Sequence, residues 1–455
     1  MFTKTRTPFV VLLLIFSLAA CQKKGTSITS EDTAPLFANK NNGHLVQTKT
    51  FSSEPVVKWL EQQLNMFRLP LGAGVTAPSS DRAFAYSGIA VYEAVLPGMP
   101  SHRSMENQLN SFPQMPKTQP GKAYHWGASA NAALASINRK LFSGASAANK
   151  QKMDSLEASL EAKYATETDA ATLQRSIQFG RTVADSVWSW AQTDGTSTMP
   201  PASSYVIPTG PGLWEQTPPA FALPVNAFHH MRRPMVIGAR EGAAAPALSF
   251  PFSTTPGSDY YNMAKEVYDA SVSLTPEQMN IALYHREGLG YGGGSSIAGQ
   301  LAAVIKKADA KLDKAAQAFI KVGIGTYEAL TLTFIQKYEW NVMRPITYIR
   351  RHMGQPTWNT VYGTPAYPEY PAGHPTNGGM LAVMLTDVFG DNFSFDVDYY
   401  NYLGLPARHY NSFNELAQEM AIARFYAGIH YKPAVYAGVG VGSKVAGNIL
   451  LKVRF

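Results

Sequence analysis

Three short stretches near the C-terminus carry the residue types best suited to chemistry: Lys337 to Pro345 (KYEWNVMRP), Pro371 to His374 (PAGH) and Arg424 to His430 (RFYAGIH). They supply three cations, a Gly-His turn and a second histidine. That set can hold a tetrahedral oxyanion and move protons beside it, and phosphate or its mimic vanadate is the natural guest.

Lys337 and Arg344 are seven residues apart, close to two helical turns, so on a helix over 331–343 both project from nearly one face. Pro345 lacks an amide hydrogen and disfavours helix at the residue before it, which puts Arg344 where the helix ends and the chain turns toward a pocket. In isolation such a pair is more often two solvated charges on a surface helix. His374 follows Gly373 and precedes a helix expected from Thr376, so the turn can aim backbone N–H groups at an oxyanion while the imidazole shuttles protons. On its own the same tetrapeptide suits a histidine that only caps or packs. Arg424 and His430 are six apart, which on a continuous helix separates their directions by about 120°. Gly428 between them permits a break that lets them converge. An arginine fork binds two oxyanion oxygens, and a neutral imidazole attacks phosphorus or ligates a metal centre; a satisfied, partly buried histidine is the plain alternative.

Helices must position these groups. Apolar residues recur at helical spacing over Val56–Phe67, Arg82–Val95, Ala128–Leu141, Ala145–Lys163 and Ala170–Trp190, then over Tyr260–His285, Ile297–Met343, Thr376–Phe389, Ser412–Tyr426 and Pro433–Leu451. Between them, Thr193–Ser258 is rich in proline and glycine and cannot be regular helix. Its aromatics Tyr205, Trp214, Phe221 and Phe228 fit an ordered loop that roofs a pocket. Period-two strand signals are scarce, so the expected fold class is all-α and bundle-like with long irregular loops.

Taken in order, K-x6-R-P, P-x-G-H and R-x3-G-x-H resemble the vanadium-dependent haloperoxidases and the related type 2 phosphatidic acid phosphatases. The specific likeness spans roughly Lys337 to His430, and the stretch DRAFAYSGIAVYEAV at 81–95 resembles the haloperoxidase helical scaffold more weakly. The resemblance implies that Lys337, Arg344, Arg424 and the Gly373 amide bind the oxygens of vanadate or phosphate. It makes His430 the axial vanadate ligand, or the phosphatase nucleophile, and His374 the general acid or base. Lys337 would also polarise peroxide in the peroxidase version. Vanadate is the implied cofactor of a haloperoxidase, with hydrogen peroxide and a halide as substrates; a phosphatase would need no cofactor and would act on a phosphoester. Two departures stand out. Ala372 occupies the position of the family's usual serine, and Ala423 and Ala434 replace a serine and an aspartate around the third motif. Losing that aspartate removes the carboxylate expected to orient His430, at a cost of about 10–100-fold in activity unless another acceptor takes its place.

Composition bounds the rest. With 45% hydrophobic and 16% charged residues, the 455-residue chain can bury a large core. Its net charge of +7 is dispersed among acidic residues, without the basic runs of a nucleic-acid binder. Lys4 and Arg6, the apolar run Phe9–Leu18 and the sequence Leu18-Ala19-Ala20-Cys21 read as an export signal ending in a bacterial lipobox. Cys21, the single cysteine, is the expected lipidation site. The expected organisation is a signal peptide over 1–20, a tether over 21–53 and a helical domain over 54–455, divided into a scaffold half (54–258, with the loop 193–258) and an oxyanion-site half (259–455). The protein is expected to be anchored by lipid in the bacterial cell envelope, with oligomeric state unspecified.

Three functions compete: halide oxidation, phosphoester hydrolysis on the same cradle, and a degenerate oxyanion-binding lipoprotein supported by Ala372, Ala423 and Ala434. The long scaffold favours the first, because the lipid phosphatases usually span a membrane several times and no second apolar segment of about 20 residues is expected here. The glycines at 288, 290, 292 and 294 follow no strand and read as a loop rather than a dinucleotide site. His229-His230 with Arg232-Arg233 reads as a solvent-exposed loop cluster. His285, His352 and His409 show no metal-ligand spacing.

Overall fold

Wherever apolar residues repeat at three- and four-residue intervals the chain coils. The computed structural model describes residues 45–68, 79–287 and 296–455, and among them thirteen α-helices: α1 (Glu54–Arg68), α2 (Ser80–Val95), α3 (Trp126–Leu141), α4 (Ala147–Ala165), α5 (Ala170–Ala191), α6 (Asp259–Ser271), α7 (Pro276–Tyr284), α8 (Ser296–Lys307), α9 (Leu312–Trp340), α10 (Pro345–His352), α11 (Gly373–Phe389), α12 (Phe413–Tyr426) and α13 (Lys432–Lys452). The expected signal peptide, Cys21, residues 21–44 of the tether and the glycine run at 288–294 lie outside the described residues.

The all-α expectation holds, with local corrections. The periodic run over 260–285 is two helices, because Thr275 and Gln278 form a reciprocal capping box and Pro276 opens a new helix at its first turn. The run over 297–343 is likewise two: α8 stops at Lys307, Asp309 takes a left-handed conformation (φ 43°), and α9 ends at Trp340 with Asn341 at φ 47°. Pro345, expected only to end a helix, also starts one, α10, at the position where its missing N–H costs nothing. A two-stranded antiparallel ribbon, β1 (Phe395–Val397) with β2 (Arg408–Tyr410), carries His409 opposite Asp396.

One principal cluster of buried apolar residues runs from Val56 in α1 to Val453 beyond α13. At its centre α2 crosses α9 with almost no gap: a methyl group on Gly88 would lie 2.7 Å from the Phe319 carbonyl oxygen, and one on Gly323 would lie 2.6 Å from that of Phe84. Two helices, Leu312–Trp340 and Lys432–Lys452, are long and apolar enough to cross a membrane, contrary to the expectation of no second such segment. The first is the central core helix, with 89% of its most apolar window buried inside the protein.

The segment 193–258 forms only short 3-10 turns and wraps the C-terminal half of α9. Trp214 N–H donates to the Asn341 carbonyl (2.6 Å), Met343 N–H to the Gly212 carbonyl (2.9 Å), and Tyr338 Oη to the Val225 carbonyl (2.6 Å). The His229–Arg233 cluster is a buried joint rather than a solvent-exposed patch. Arg232 pairs with Asp81 of α2, Arg233 stacks on Trp190 (4.1 Å), and His229 packs edge-on against Phe334, with burial and the neighbouring arginines holding its pKa well below the usual histidine value. Only His230 of the histidine pair is exposed.

Candidate active site

The three motifs meet. Lys337 lies in the last turn of α9, fully buried, and its ammonium donates to the carbonyls of Pro368 and Glu369 (2.9 Å each). Arg344 arrives by a different route from the one its spacing suggested. The helix stops at Trp340, and the turn through Asn341 carries Arg344 to the N-cap of α10. Both cations nonetheless lie over the same ring, 5.0 Å from the centre of Tyr367.

Arg344 is fully buried, with Nε donating to the Tyr367 carbonyl (2.9 Å) and Nη1 to the Ile429 carbonyl (2.7 Å). The same Nη1 is 3.1 Å from His430 Nε2. Arg424, in the last turn of α12, reaches the Tyr362 hydroxyl (2.8 Å) and the His285 carbonyl (3.0 Å) through Nη1. The helix breaks just after it. Gly428 sits at φ +76°, where a side chain would be strained, and a Cβ there would press on Trp358 at 3.1 Å. This break removes the 120° divergence of a continuous helix, and His430 turns inward between α12 and α13.

His430 is the most constrained of the set. It is 2% exposed, and its Nδ1 lies 2.9 Å from Glu369 Oε1. An arginine can only donate, so Nε2 must present a lone pair to Arg344 and the proton belongs on Nδ1, facing Glu369. Burial, reinforced by Arg344, Lys337 and Arg424, holds the His430 pKa well below the usual imidazole value and keeps the ring neutral. Burial also depresses Lys337, with Arg344 and Arg424 adding repulsion that Glu369 partly offsets. Burial pushes the Glu369 carboxyl up to about 7 against the pull of Arg344 and Lys337.

His374 is the second residue of α11 and is almost buried. Its Nδ1 lies 3.3 Å from Glu287 Oε1, a distance that allows an ion pair although the angle is wrong for a hydrogen bond. Burial alone would raise the Glu287 carboxyl, but His374, Arg424 and a 2.7 Å hydrogen bond from Ser296 outweigh it and bring it down to about 2. His285 stands 5.7 Å from His374, ring to ring, and leans on Glu419 (3.0 Å). Gly373, the first residue of α11, has an N–H without an intrahelical acceptor.

Glu369, Glu287 and Tyr367 are site residues that sequence reasoning missed. Glu369 stands five residues ahead of His374 in PEYPAGH, an adjacency that was its only available signal. Glu287 adjoins the glycine run and forms no motif.

Several buried polar atoms lack a hydrogen-bond partner: the donors Arg344 Nη2 and Arg424 Nε, and the ring nitrogens of His374, of which Nδ1 has the Glu287 carboxylate 3.3 Å away. Lys337 uses two of its three N–H bonds on carbonyls. Buried polar groups are rarely left unpaired, so a cluster of unpaired donors around one neutral imidazole nitrogen fits a guest that is an oxyanion with several acceptor oxygens. Vanadate meets that description.

The family model of the VCPO second helical-bundle domain matches residues 317–454, which include all three motifs. A crystal structure described as the first bacterial vanadium-dependent iodoperoxidase aligns with a TM-score of 0.78 and 27% identity, covering 89% of this chain and 97% of its own. Bacterial vanadium-dependent chloroperoxidases in the apo and holo forms share the fold: each has a TM-score of 0.63, at 14% and 15% identity, over 84% and 85% of this chain and 95% and 94% of theirs. No curated protein sequence matches the chain. The chain thus shares the helical-bundle fold of these vanadium-dependent haloperoxidases, and residues 317–454 match their second-domain model.

Proposed function

We propose that the protein is a vanadium-dependent haloperoxidase, catalysing the two-electron oxidation of a halide by hydrogen peroxide: peroxide, halide and a proton give hypohalous acid and water. The observation that carries this reading is the neutral Nε2 of His430 set among Lys337, Arg344 and Arg424, with unpaired donors on both arginines. Likeness to the bacterial iodoperoxidase over both halves of the chain supports peroxide chemistry on this cradle.

In this reading Lys337, Arg344, Arg424 and the Gly373 amide hold the oxygens of vanadate and His430 Nε2 binds the vanadium. Vanadate, when bound, supplies the electrophilic centre through which peroxide gains its oxidising power over a halide. The chain's own residues do the rest. The cations concentrate negative charge in a dry site, where each hydrogen bond is stronger than in water. The third N–H of Lys337 is available to polarise an oxygen. His374, with the Glu287 carboxylate beside Nδ1, accepts a proton from incoming peroxide and returns it to the departing water. Ala372 leaves one hydroxyl donor fewer than the family usually offers, so the cations carry more of the binding. Export and a lipid anchor at Cys21, placing the enzyme in the bacterial cell envelope, belong to the same proposal and are supported by Lys4 and Arg6, the apolar run Phe9–Leu18 and Leu18-Ala19-Ala20-Cys21.

Side-by-side assays on the full chain test the reading: iodide or bromide oxidation with hydrogen peroxide, and hydrolysis of p-nitrophenyl phosphate, each with and without added vanadate. Halide oxidation that appears only with vanadate, with ester hydrolysis inhibited by it, is expected. Ester hydrolysis in the metal-free protein with no halide oxidation after loading would overturn the proposal in favour of a phosphatase, and neither activity would favour a degenerate oxyanion-binding protein.

A further inference from the structure

The aspartate that usually follows the third-motif histidine is Ala434 here, a buried methyl group whose own carbonyl is tied to the Ala372 N–H (3.1 Å). A carboxylate nevertheless stands at His430 Nδ1. It comes from Glu369, in the loop between α10 and α11, with 0% of its surface exposed. Its Oε1 takes two hydrogens, from His430 Nδ1 and from the Tyr431 backbone N–H, both at 2.9 Å. Its backbone is fixed on the other side, with N–H donating to the Val342 carbonyl (2.9 Å) and C=O receiving Lys337 Nζ (2.9 Å). One residue therefore touches the first motif through its backbone and the third through its side chain.

We infer that Glu369 is the positioning residue for His430, replacing from a different element the carboxylate missing at position 434. It holds the ring between two fixed points, Glu369 on Nδ1 and Arg344 on Nε2, so that the Nε2 lone pair faces the cationic cradle in one tautomer and one plane. The inference rests on the oxyanion reading of that cradle, and it accounts for the substitution at 434 alone. Outer-shell partners of this kind fix the tautomer of a ligating histidine, and their loss costs about 10–100-fold in affinity.

Two readouts on the full chain test it. The first needs no ligand: ¹⁵N spectra of histidine-labelled protein, with the His430 signal identified by its disappearance in His430→Ala among the ten histidines of the chain. Wild type and Glu369→Gln, which keeps an acceptor oxygen, are expected to show the Nδ1–H form alone; Glu369→Met, similar in volume but without an acceptor, is expected to show a mixture. The second is calorimetric binding of inorganic phosphate and of vanadate, expected to weaken about 10–100-fold in Glu369→Met. Glu369→Ala/Ala434→Asp, which returns a carboxylate to the position four residues after His430, is expected to recover most of that loss.

A folded Glu369→Met variant with a pure Nδ1–H signal and wild-type affinity would overturn the inference. Should that variant fail to fold, a double variant that folds yet binds no better than His430→Ala would do the same. A wild type that binds neither oxyanion would sink the haloperoxidase reading instead, while the tautomer spectra still decide the role of Glu369.

Discussion

Gly442 is the point where a single methyl group should separate the two histidines. It lies on α13, the helix that follows His430, and faces the first turns of α11, the helix that begins at Gly373 and His374. A Cβ there would meet the Thr376 carbonyl oxygen at 1.9 Å and the Met380 amide nitrogen at 2.8 Å, both backbone atoms of α11 with no rotamer to yield. Real contacts stay beyond 3.0 Å, so α11 and α13 must part by about 1.1 Å along that line. Inserting a methyl into a packed core costs about 1–3 kcal/mol, and rigid backbone on the opposing side puts Gly442→Ala at the upper end, about 3 kcal/mol. The same displacement spreads His374 from His430, and a misplacement of about 1 Å can lower turnover about 100-fold. Gly440 and Gly447, on the same helix with nothing within 4 Å of an added Cβ, provide the control. Alanine at either should stabilise by up to about 1 kcal/mol through helix propensity and leave turnover alone. Urea unfolding and steady-state halide oxidation on the three variants give the comparison. If Gly442→Ala matches Gly440→Ala in both stability and turnover, close contact between α11 and α13 is not what fixes the site.

Two further outcomes follow from buried charge elsewhere in the fold. Burial pushes the Glu93 carboxyl up to about 7 despite hydrogen bonds from Met105 N–H and Ser104. Between pH 4.5 and 7 the folded protein therefore holds a proton that the unfolded chain has released, and stability should fall by up to about 3 kcal/mol as pH rises across that window. Glu93→Gln should flatten that part of the curve of unfolding free energy against pH, and an unchanged slope would assign the effect elsewhere. Arg232→Met leaves Asp81 buried and unpaired and should cost about 3–5 kcal/mol in urea unfolding, much of it regained in Asp81→Leu/Arg232→Met. Loss of under 1 kcal/mol in the single variant would show that the joint between α2 and the 193–258 segment contributes little.

Helices with a continuous apolar face were legible in the sequence to within a few residues, because burial of one face imposes the period. Breaks inside a periodic run were not. Pro276 ends one pattern and begins another without changing its phase enough to notice, and Asp309 and Asn341 stop helices by taking left-handed conformations that non-glycine residues seldom announce. The three cations and two histidines were legible through residue type and order, although the reason Lys337 and Arg344 converge is a turn, and not a shared helical face. Partners from afar were invisible. Arg232 pairs with a residue 151 positions away, and Glu369 reaches a histidine 61 positions on, so neither leaves a local pattern. The missing aspartate at position 434 signalled a gap in the motif, while only the fold could show which carboxylate fills it.

On the function proposed above, His430, held among Lys337, Arg344 and Arg424, would make this chain a vanadate-dependent oxidant of halides. The most direct test is iodide and bromide oxidation with hydrogen peroxide by the full chain, before and after vanadate loading, beside His430→Ala carried through the same loading. Turnover that requires vanadate and is lost in His430→Ala is the predicted result. No turnover in the loaded wild type, or equal turnover in the variant, would contradict it.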